Sequence, residues 1–477
     1  MSAVEVPAPA EGRVRHAPYW AVLTLLCLGQ LMVVLDVSIV NVALPAIRQD
    51  LGFSEAGLAW VVNGYTLAYS GFLLFGGRAA DLFGRRRLFV IGLVVFTAAS
   101  LVGALAQDQT TLVVARIVQG IGGAILSPAT LTILTTTFPE GPQRAKAMGA
   151  WSAVAGGGAA IGSVLGGVLT DLINWRWILL VNIPLGVIGL IAAYLLLQES
   201  HGNLKTRKLD VTGSVLVTAG LVALVYGTIN SAPYGWGAPQ TLVPFLAGLV
   251  LLAWFVLHEA KIAQAPVVPL RLFKVRSITV ANLVMFCVGV AVIAHFFFLS
   301  LYMQNVLGFG PLAAGLAFLP GAATMTIGAY SGPVLLKRFG PRPLLVAGPL
   351  ITTVGLVWLS FIPVHGSYPA HLLVPMALVT LGAGVAMMPL GMAATSGVAR
   401  EEAGLASGLI NTTRQVGGSI GLAVLATVAA DRAQALAGTG ADAAVVSGYR
   451  AAFLVGAVFA LAAALTSLAL PKPKQPA

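Results

Sequence analysis

The chain has 477 residues, of which 58% are hydrophobic and only 9% are charged. Soluble globular proteins carry about 25% charged residues, so this composition excludes that class and predicts a protein embedded in a lipid bilayer. The formal net charge of +11 would suit a nucleic-acid surface, but the basic residues lie in separate short segments rather than on one face, which disfavours that alternative.

Apolar windows of about 20 residues, the length that crosses a hydrocarbon core of ~30 Å, recur almost from end to end. They predict an all-α polytopic membrane protein with fourteen transmembrane helices. The predicted spans are 18–44, 57–77, 88–106, 111–137, 147–170, 177–197, 210–230, 241–257, 278–304, 312–336, 344–362, 371–396, 405–430 and 449–470.

The distribution of basic residues predicts the orientation. Most of the 27 Lys and Arg residues fall in segments on the same side as the N-terminus. The opposite segments hold only Arg48, Arg176, Arg432 and Arg450. Because cytoplasmic loops are enriched in Lys and Arg, the tails 1–17 and 471–477 are both expected in the cytoplasm. The first tail lacks the apolar stretch of a signal peptide, and Cys27 and Cys287 fall inside spans, where they predict no disulfide or metal site.

The first span carries an acid in its middle. A charge such as that of Asp36 costs ~2.5–3.5 kcal/mol at this depth on insertion scales, so it is usually kept for function. We interpret Asp36 as a proton carrier, with a helix–helix hydrogen bond as the alternative. Gln30, Ser38 and Asn41 form a separate helical stripe, which we expect to face a cavity while Asp36 faces a neighbouring helix.

A short basic loop joins the second and third spans, with the sequence Gly77-Arg-Ala-Ala-Asp81-Leu-Phe-Gly84-Arg85-Arg86-Arg87. Its three consecutive arginines predict a tight cytoplasmic turn. We expect Asp81 to act on the positive N-terminal end of the next helix, and the loop to work as a conformational gate.

The fourth span carries Arg116, the natural counter-charge for Asp36. Arg116, Gln119, Gly120 and Ser127 fall on one helical stripe, which predicts a polar face of small residues turned inward. A purely structural cation that satisfies nearby carbonyl groups is the alternative.

The fifth span is rich in glycine. Spacings of this kind let helices approach closely, so we expect these residues to pack helices together. The glycines concerned are Gly149, Gly158, Gly162, Gly166 and Gly167. The segment 156–162 resembles a dinucleotide-binding loop only superficially, since it lies inside a span and no strand precedes it.

The ninth span contributes His295, on one helical face with Leu299 and Tyr302. Histidine titrates near physiological pH, so a role in proton or substrate binding is one interpretation. Packing within its aromatic surroundings is the other.

The thirteenth span contributes Arg414, on a stripe with Asn411 and Gln415. It is either a cation that binds an anionic substrate, a partner for an acid, or a structural residue near the membrane surface.

The chain contains an internal repeat. The spacing of Gly149, Gly158 and Gly162 recurs in Gly408, Gly417 and Gly421 of the thirteenth span. These coincidences predict two duplicated six-helix bundles, with a two-helix insert and its linkers between them and a substrate site at their interface. The predicted boundaries are 18–198, 199–276 and 277–470.

The basic loop also has an echo, Gly332–Arg342, in which Lys337 stands in the place of Asp81. The acid therefore belongs to one half only. We hypothesise that Asp81 locks one conformation by pairing with a basic group or helix end of the other half.

Three motifs together resemble those of the major facilitator superfamily, in its fourteen-span drug:proton antiporter branch. The likeness covers nearly the whole chain. The motifs are Leu35-Asp36-Val-Ser-Ile-Val-Asn41-Val-Ala-Leu-Pro45 in the first span, Gly77-x-x-x-Asp81-x-x-Gly84-Arg85-Arg86 in the loop, and Arg116-Ile-Val-Gln119-Gly120-Ile-Gly122 in the fourth span. The glycines of the fifth span are similar to the antiporter motif, except that Ser163 stands where that motif has a proline.

The resemblance implies that Arg116 couples proton binding to conformational change. It also implies a gate formed by Gly77, Asp81, Gly84, Arg85 and Arg86. The residues predicted to line a substrate cavity are Gln30, Ser38, Asn41, Gln119, Tyr302, Asn411, Arg414 and Gln415.

The predicted function is export of small, largely apolar and at most weakly charged organic compounds, such as drugs or antibiotics, in exchange for protons by alternating access. Proton-coupled nutrient uptake, export of a lipid or cell-wall precursor, and a transporter-like receptor or scaffold are the alternatives. The sequence has no Walker A, HExxH or local catalytic-triad motif, so no enzyme, metal or cofactor is expected and the proton gradient is the energy source. We expect a monomer in a bacterial inner membrane, with the substrate, protons and lipid as its partners.

Overall fold

The computed structural model describes residues 18–139, 141–201, 209–264, 266–396 and 403–470. In these ranges all regular structure is helical, which confirms the predicted all-α polytopic fold. Thirteen helices of the described chain are long and apolar enough to cross a membrane. The fifth predicted span, 147–170, lies in the 31-residue helix Pro142–Leu172, of which Ala160–Leu172 forms a shorter apolar helix. The predicted tails lie outside the described residues.

The helices are α1 Tyr19–Leu51, α2 Glu55–Phe83, α3 Arg85–Ala104, α4 Gln109–Thr137, α5 Pro142–Leu172, α6 Trp177–Leu180, α7 Asn182–Leu196, α8 Val211–Tyr234, α9 Pro239–Lys261, α10 Arg276–Leu301, α11 Pro311–Ala317, α12 Leu319–Phe339, α13 Pro341–Leu359, α14 Leu373–Thr395, α15 Ala403–Ala435 and α16 Ala441–Ser467. Shorter helical turns lie at Leu270–Lys274, Tyr302–Val306, Tyr368–Leu372 and Ala437–Thr439.

Polar side chains cap the N-terminal ends of α2, α4 and α8. The Asp108 carboxylate accepts a hydrogen bond of 2.8 Å from the Thr111 backbone N–H and begins α4. Together with the Thr111 hydroxyl, this bond holds the pKa of Asp108 below its ordinary value. Arg450, predicted at the outer edge of the last span, lies well inside α16, where its Nε donates to the Ile362 carbonyl at 2.7 Å.

Glycines bring α5 against α1 in the first half. A Cβ on Gly162 would lie 2.9 Å from the Leu35 carbonyl oxygen, and one on Gly166 would lie 2.7 Å from that of Ile39. Only glycine permits so close an approach of two helices. In the second half Gly421 packs in the same way against α10, where a Cβ would lie 2.7 Å from the Val290 side chain. The sequence repeat is thus a repeat of helix packing.

The two insert helices, α8 and α9, pack against each other, and α8 also contacts α2 of the first half and α15 of the second. The Thr427 hydroxyl of α15 donates to the Thr228 carbonyl of α8 at 3.0 Å. The insert therefore covers one of the seams between the halves.

The halves meet at one end of the molecule and separate at the other. We call the end that carries Arg85, Arg86 and Arg87 the basic side. At the opposite end the Ser300 hydroxyl donates to the Asn41 carbonyl at 2.9 Å, and the Thr66 and Ser419 hydroxyls lie 2.7 Å apart. A cavity of about 1990 Å³ lies between the halves. Its lining reaches Gly77, Asp81 and Arg271, so the cavity opens to the basic side.

Candidate functional site

A buried ion pair joins α1 to α4. The Asp36 and Arg116 side chains meet at 2.5 Å between Oδ2 and Nη1, and the two residues are 0% and 1% exposed. Gln119 donates from Nε2 to Asp36 Oδ1 at 2.7 Å, and the Asn182 amide approaches the same oxygen at 3.4 Å. The Ser100 hydroxyl accepts from Gln119 at 2.7 Å, so side chains of α1, α3, α4 and α7 form one hydrogen-bonded cluster around Asp36.

Arg116 is held from three further directions. Its Nε donates to the Val61 carbonyl at 3.1 Å, and its Nη1 donates to Gln119 Oε1 at 2.7 Å. The guanidinium also lies 4.5 Å from the centre of the Tyr65 ring, within range of a cation–π interaction. Buried charges need such compensation because desolvation is costly. If Asp36 lost its charge, the main electrostatic restraint between α1 and α4 would be lost with it.

The ion pair lies beside the cavity and does not line it. Tyr65 separates the two, since its ring contacts Arg116 and is also part of the cavity wall. Tyr69 stacks on Tyr65, with ring centres 5.8 Å apart and planes inclined by 13°. Tyr69 in turn lies within electrostatic range of Arg414. A continuous row of side chains therefore connects Asp36 to the part of the cavity wall that the second half of the chain forms.

Six of the eight predicted cavity residues line the cavity. They are Gln30, Ser38, Asn41, Asn411, Arg414 and Gln415. The prediction is wrong for the other two. Gln119 points into the ion-pair cluster, where Asp36 and Ser100 accept both of its N–H bonds. Tyr302 is turned away because its hydroxyl donates to the Pro363 carbonyl at 2.5 Å.

The site contains several residues that the sequence did not predict. Ser100 and Asn182 complete the surroundings of Asp36, and Tyr65 and Tyr69 connect it to the cavity. Asn63 lines the cavity, is 0% exposed, and has no hydrogen-bond partner for either amide atom in the described chain. Asn63, Ser100 and Asn182 are all polar residues inside apolar spans, and this pattern could have identified them as candidates for the site.

His295 is fully buried, and it does not reach the cavity among the residues described. Its ring packs edge-on against Phe296 and Phe318, with ring centres 5.0 and 6.5 Å away. Neither ring nitrogen has a hydrogen-bond partner in the described ranges. These contacts favour the packing interpretation over a role in proton or substrate binding.

The basic loop differs in detail from its prediction. Asp81 accepts two hydrogen bonds from Arg85 of its own half, at 3.0 Å from Nε and 2.8 Å from Nη2. The acid at the positive end of α3 is Glu199, which accepts from the backbone N–H groups of Arg86 at 3.1 Å and Arg87 at 3.0 Å. The prediction that Asp81 acts on this helix end is therefore wrong, because a linker acid 113 residues from Arg86 occupies the position.

The glycines of the basic loop and of α5 have different surroundings. Gly84 begins α3 with a positive φ of 105°, a conformation that favours glycine. Gly167 packs on α11 of the other half, where a Cβ would lie 2.6 Å from the Pro311 carbonyl. Gly149 was predicted to pack helices, but a Cβ there would meet nothing within 4 Å, and the residue lines the cavity instead.

A cluster of titratable groups lies at the cavity mouth, where α8 begins and α9 ends. His258 Nε2 lies 2.8 Å from Asp210 Oδ1. Burial would raise the pKa of Asp210, but the Gly213 backbone N–H and His258 hold it below its ordinary value. Glu259 accepts from the backbone N–H groups of Val267 and Val268 at 3.2 and 3.0 Å. These contacts fasten the insert to the linker that follows it.

The chain is similar to proteins named for antibiotic export or resistance. The model of the major facilitator superfamily matches residues 26–422. The cephamycin export protein CmcT of Amycolatopsis lactamdurans is 44% identical over 451 residues, which cover 94% of this chain and 92% of that protein. The puromycin resistance protein pur8 of Streptomyces alboniger is 38% identical over 475 residues, covering 98% and 94%.

A solved structure has the same fold. It is that of a bacterial homologue of the human lysosomal transporter Spinster, in an inward-facing and unoccupied conformation. The TM-score is 0.67 at 19% sequence identity, with 94% of this chain and 96% of that chain covered.

Proposed function

Because this chain belongs to the major facilitator superfamily and is a transporter of its drug-efflux type, we propose that it exports small, largely apolar organic compounds in exchange for protons by alternating access. The observation that carries the proposal is the Asp36–Arg116 pair, buried to 0% and 1% exposure beside a cavity of about 1990 Å³. A charge pair in a lipid-embedded bundle usually marks a proton or ion pathway.

In the proposed cycle, a proton neutralises Asp36 and releases Arg116. The guanidinium then keeps the Val61 carbonyl and the Tyr65 ring as partners. Because Tyr65 is also part of the cavity wall, a shift of Arg116 would change the surface that meets the substrate. Proton binding and substrate binding would thereby favour different conformations, which is what coupling requires.

The second element of the proposal is the gate on the basic side. We place this side in the cytoplasm of a bacterial cell, since basic loops face inward and the relatives named above come from bacteria. The cavity then opens to the cytoplasm, where substrate enters. In this conformation Asp81 pairs with Arg85 of its own half. The proposed latch to the other half belongs to the opposite conformation, in which the basic side is closed.

One proton is sufficient for useful export. An elementary charge crossing 100 mV is worth ~2.3 kcal/mol, and ~1.4 kcal/mol corresponds to tenfold in concentration. At roughly 150 mV a single proton per cycle sustains a gradient of a few hundredfold. We therefore propose the proton gradient as the energy source, and we propose a monomer that uses no further cofactor.

Everted membrane vesicles test the proposal. Vesicles acidified inside are expected to concentrate at least one of Hoechst 33342, puromycin and a cephamycin, because substrate then moves against the proton flow. Nigericin, which removes the pH difference, should release the accumulated compound within minutes. Vesicles from cells without the protein provide the control. Accumulation that persists after nigericin and a protonophore would contradict proton coupling.

A second prediction concerns the gate. Asp81→Asn is expected to reduce transport at least tenfold while substrate affinity stays within about twofold, because the carboxylate acts in closing the basic side and not in the cavity interior. Transport is measured in vesicles, and affinity on purified protein. Glu199→Gln serves as the matched control, since Glu199 lies at the same loop but contacts only backbone N–H groups. Loss of binding by Asp81→Asn would exclude a purely conformational role.

A further inference from the structure

Arg414 places a cation in the wall of the membrane-embedded cavity. Its side chain is part of the cavity wall on α15. In the described chain it has no acid within ion-pair distance and no hydrogen-bond acceptor. The contrast is Arg116 of α4, which has an aspartate, an amide, a carbonyl and an aromatic ring as partners.

The acids of the cavity wall do not compensate Arg414. They are Asp81, Asp210 and Glu259. Each already has a partner at the cavity mouth. Asp81 pairs with Arg85, and Asp210 pairs with His258. Glu259 accepts from the backbone N–H groups of Val267 and Val268. Asp81 also lies twelve residues beyond Tyr69 on α2, about 18 Å along the helix axis. The interior of the cavity is therefore electropositive at Arg414.

Hydrogen-bonding capacity is free around this charge. Gln415 follows Arg414 and also faces the cavity. Among the other residues of the cavity wall, Asn63 of α2 has neither amide atom bonded in the described ranges, and Asn41 of α1 has an unbonded side-chain oxygen. Buried polar groups without partners are costly, so such groups in a binding cavity are commonly satisfied by a ligand. The remaining wall is mostly apolar.

We propose that Arg414 binds the carboxylate of the transported compound, so that the cavity selects organic anions with an apolar body. The inference rests on the proposed export function and names its substrate class. It replaces the expectation of neutral or weakly charged substrates. A guanidinium suits a carboxylate because it offers two parallel N–H donors. With the cytoplasm negative, the membrane potential also favours movement of an anion outward.

The test compares two probes of nearly the same shape, the anion 1-pyrenebutyrate and its neutral amide, 1-pyrenebutyramide. Binding to the purified full-length protein is measured by fluorescence anisotropy. We expect the wild type to bind the carboxylate at least tenfold more tightly than the amide, the range for hydrogen bonds to a charged group. Arg414→Gln should abolish the preference without changing amide affinity, and Arg414→Lys should keep part of it. Arg271→Gln, which removes a charge at the cavity mouth, should keep it fully.

Three results would overturn the proposal. They are equal binding of both probes by the wild type, an unchanged carboxylate preference in Arg414→Gln, and no binding of 1-pyrenebutyrate at all. Amide binding by Arg414→Gln establishes that the variant is folded. Proton-driven accumulation of Hoechst 33342, puromycin and a cephamycin in everted vesicles is measured in parallel. Failure of the anion site is thereby distinguished from failure of the export function.

Discussion

Asp36→Asn is expected to abolish concentrative export while leaving substrate exchange intact. Asparagine has nearly the shape of the protonated acid and still accepts a hydrogen bond from Gln119, whose Nε2 lies 2.7 Å from Asp36 Oδ1 in the wild type. It cannot release a proton, so substrate movement is no longer tied to the gradient. The accumulation of a few hundredfold that one proton sustains at roughly 150 mV should fall to about one.

The measurement uses proteoliposomes in two modes. Uptake driven by an imposed pH difference should be lost in Asp36→Asn, whereas exchange of labelled for unlabelled substrate without a gradient should stay within about twofold of wild type. Asp50→Asn is the matched control. Asp50 is an acid of the same helix in an ion pair with Arg176, but it lies at the far end of α1, where its side chain is 44% exposed. Gradient-driven uptake by Asp36→Asn would show that another group carries the proton.

The sequence predicted the elements of this site better than their final contacts. The spacing of apolar residues predicts where helices lie, because a membrane span must be apolar and long enough. It also predicts that Asp36 and Arg116 attract each other, since two opposite charges in spans need compensation. The helical stripe of α1 correctly separates Gln30, Ser38 and Asn41, which line the cavity, from Asp36, which faces α4.

What the sequence could not provide depends on partners that are distant along the chain. Gln119 shares a stripe with Arg116, but its direction is decided by Ser100 of α3. Glu199 takes the helix-end position expected for Asp81 because the linker after α7 returns to the basic loop. The open side of the cavity is also unpredictable from sequence, since one sequence must be compatible with both conformations of an alternating-access cycle.

Removal of Arg116 should affect folding before it affects transport. In Arg116→Gln the Asp36 carboxylate, 0% exposed, would remain buried without a cation, and an uncompensated buried charge typically costs 3–5 kcal/mol. We expect a strongly reduced yield of monodisperse protein and a lower unfolding temperature.

The double variant Asp36→Asn/Arg116→Gln separates stability from coupling. It removes both charges and replaces them with amides that can hydrogen-bond to each other. We therefore expect the yield to recover and the free energy of unfolding to return to within about 1 kcal/mol of the wild-type value. Gradient-driven transport should remain absent, because no titrating group is left at the site. Size-exclusion chromatography and thermal unfolding of the purified variants measure the first effect, and vesicle uptake measures the second.

A single Arg116→Gln variant as stable as the wild type would mean that the ion pair does not hold α1 and α4 together. Transport by the double variant would place proton coupling elsewhere in the molecule.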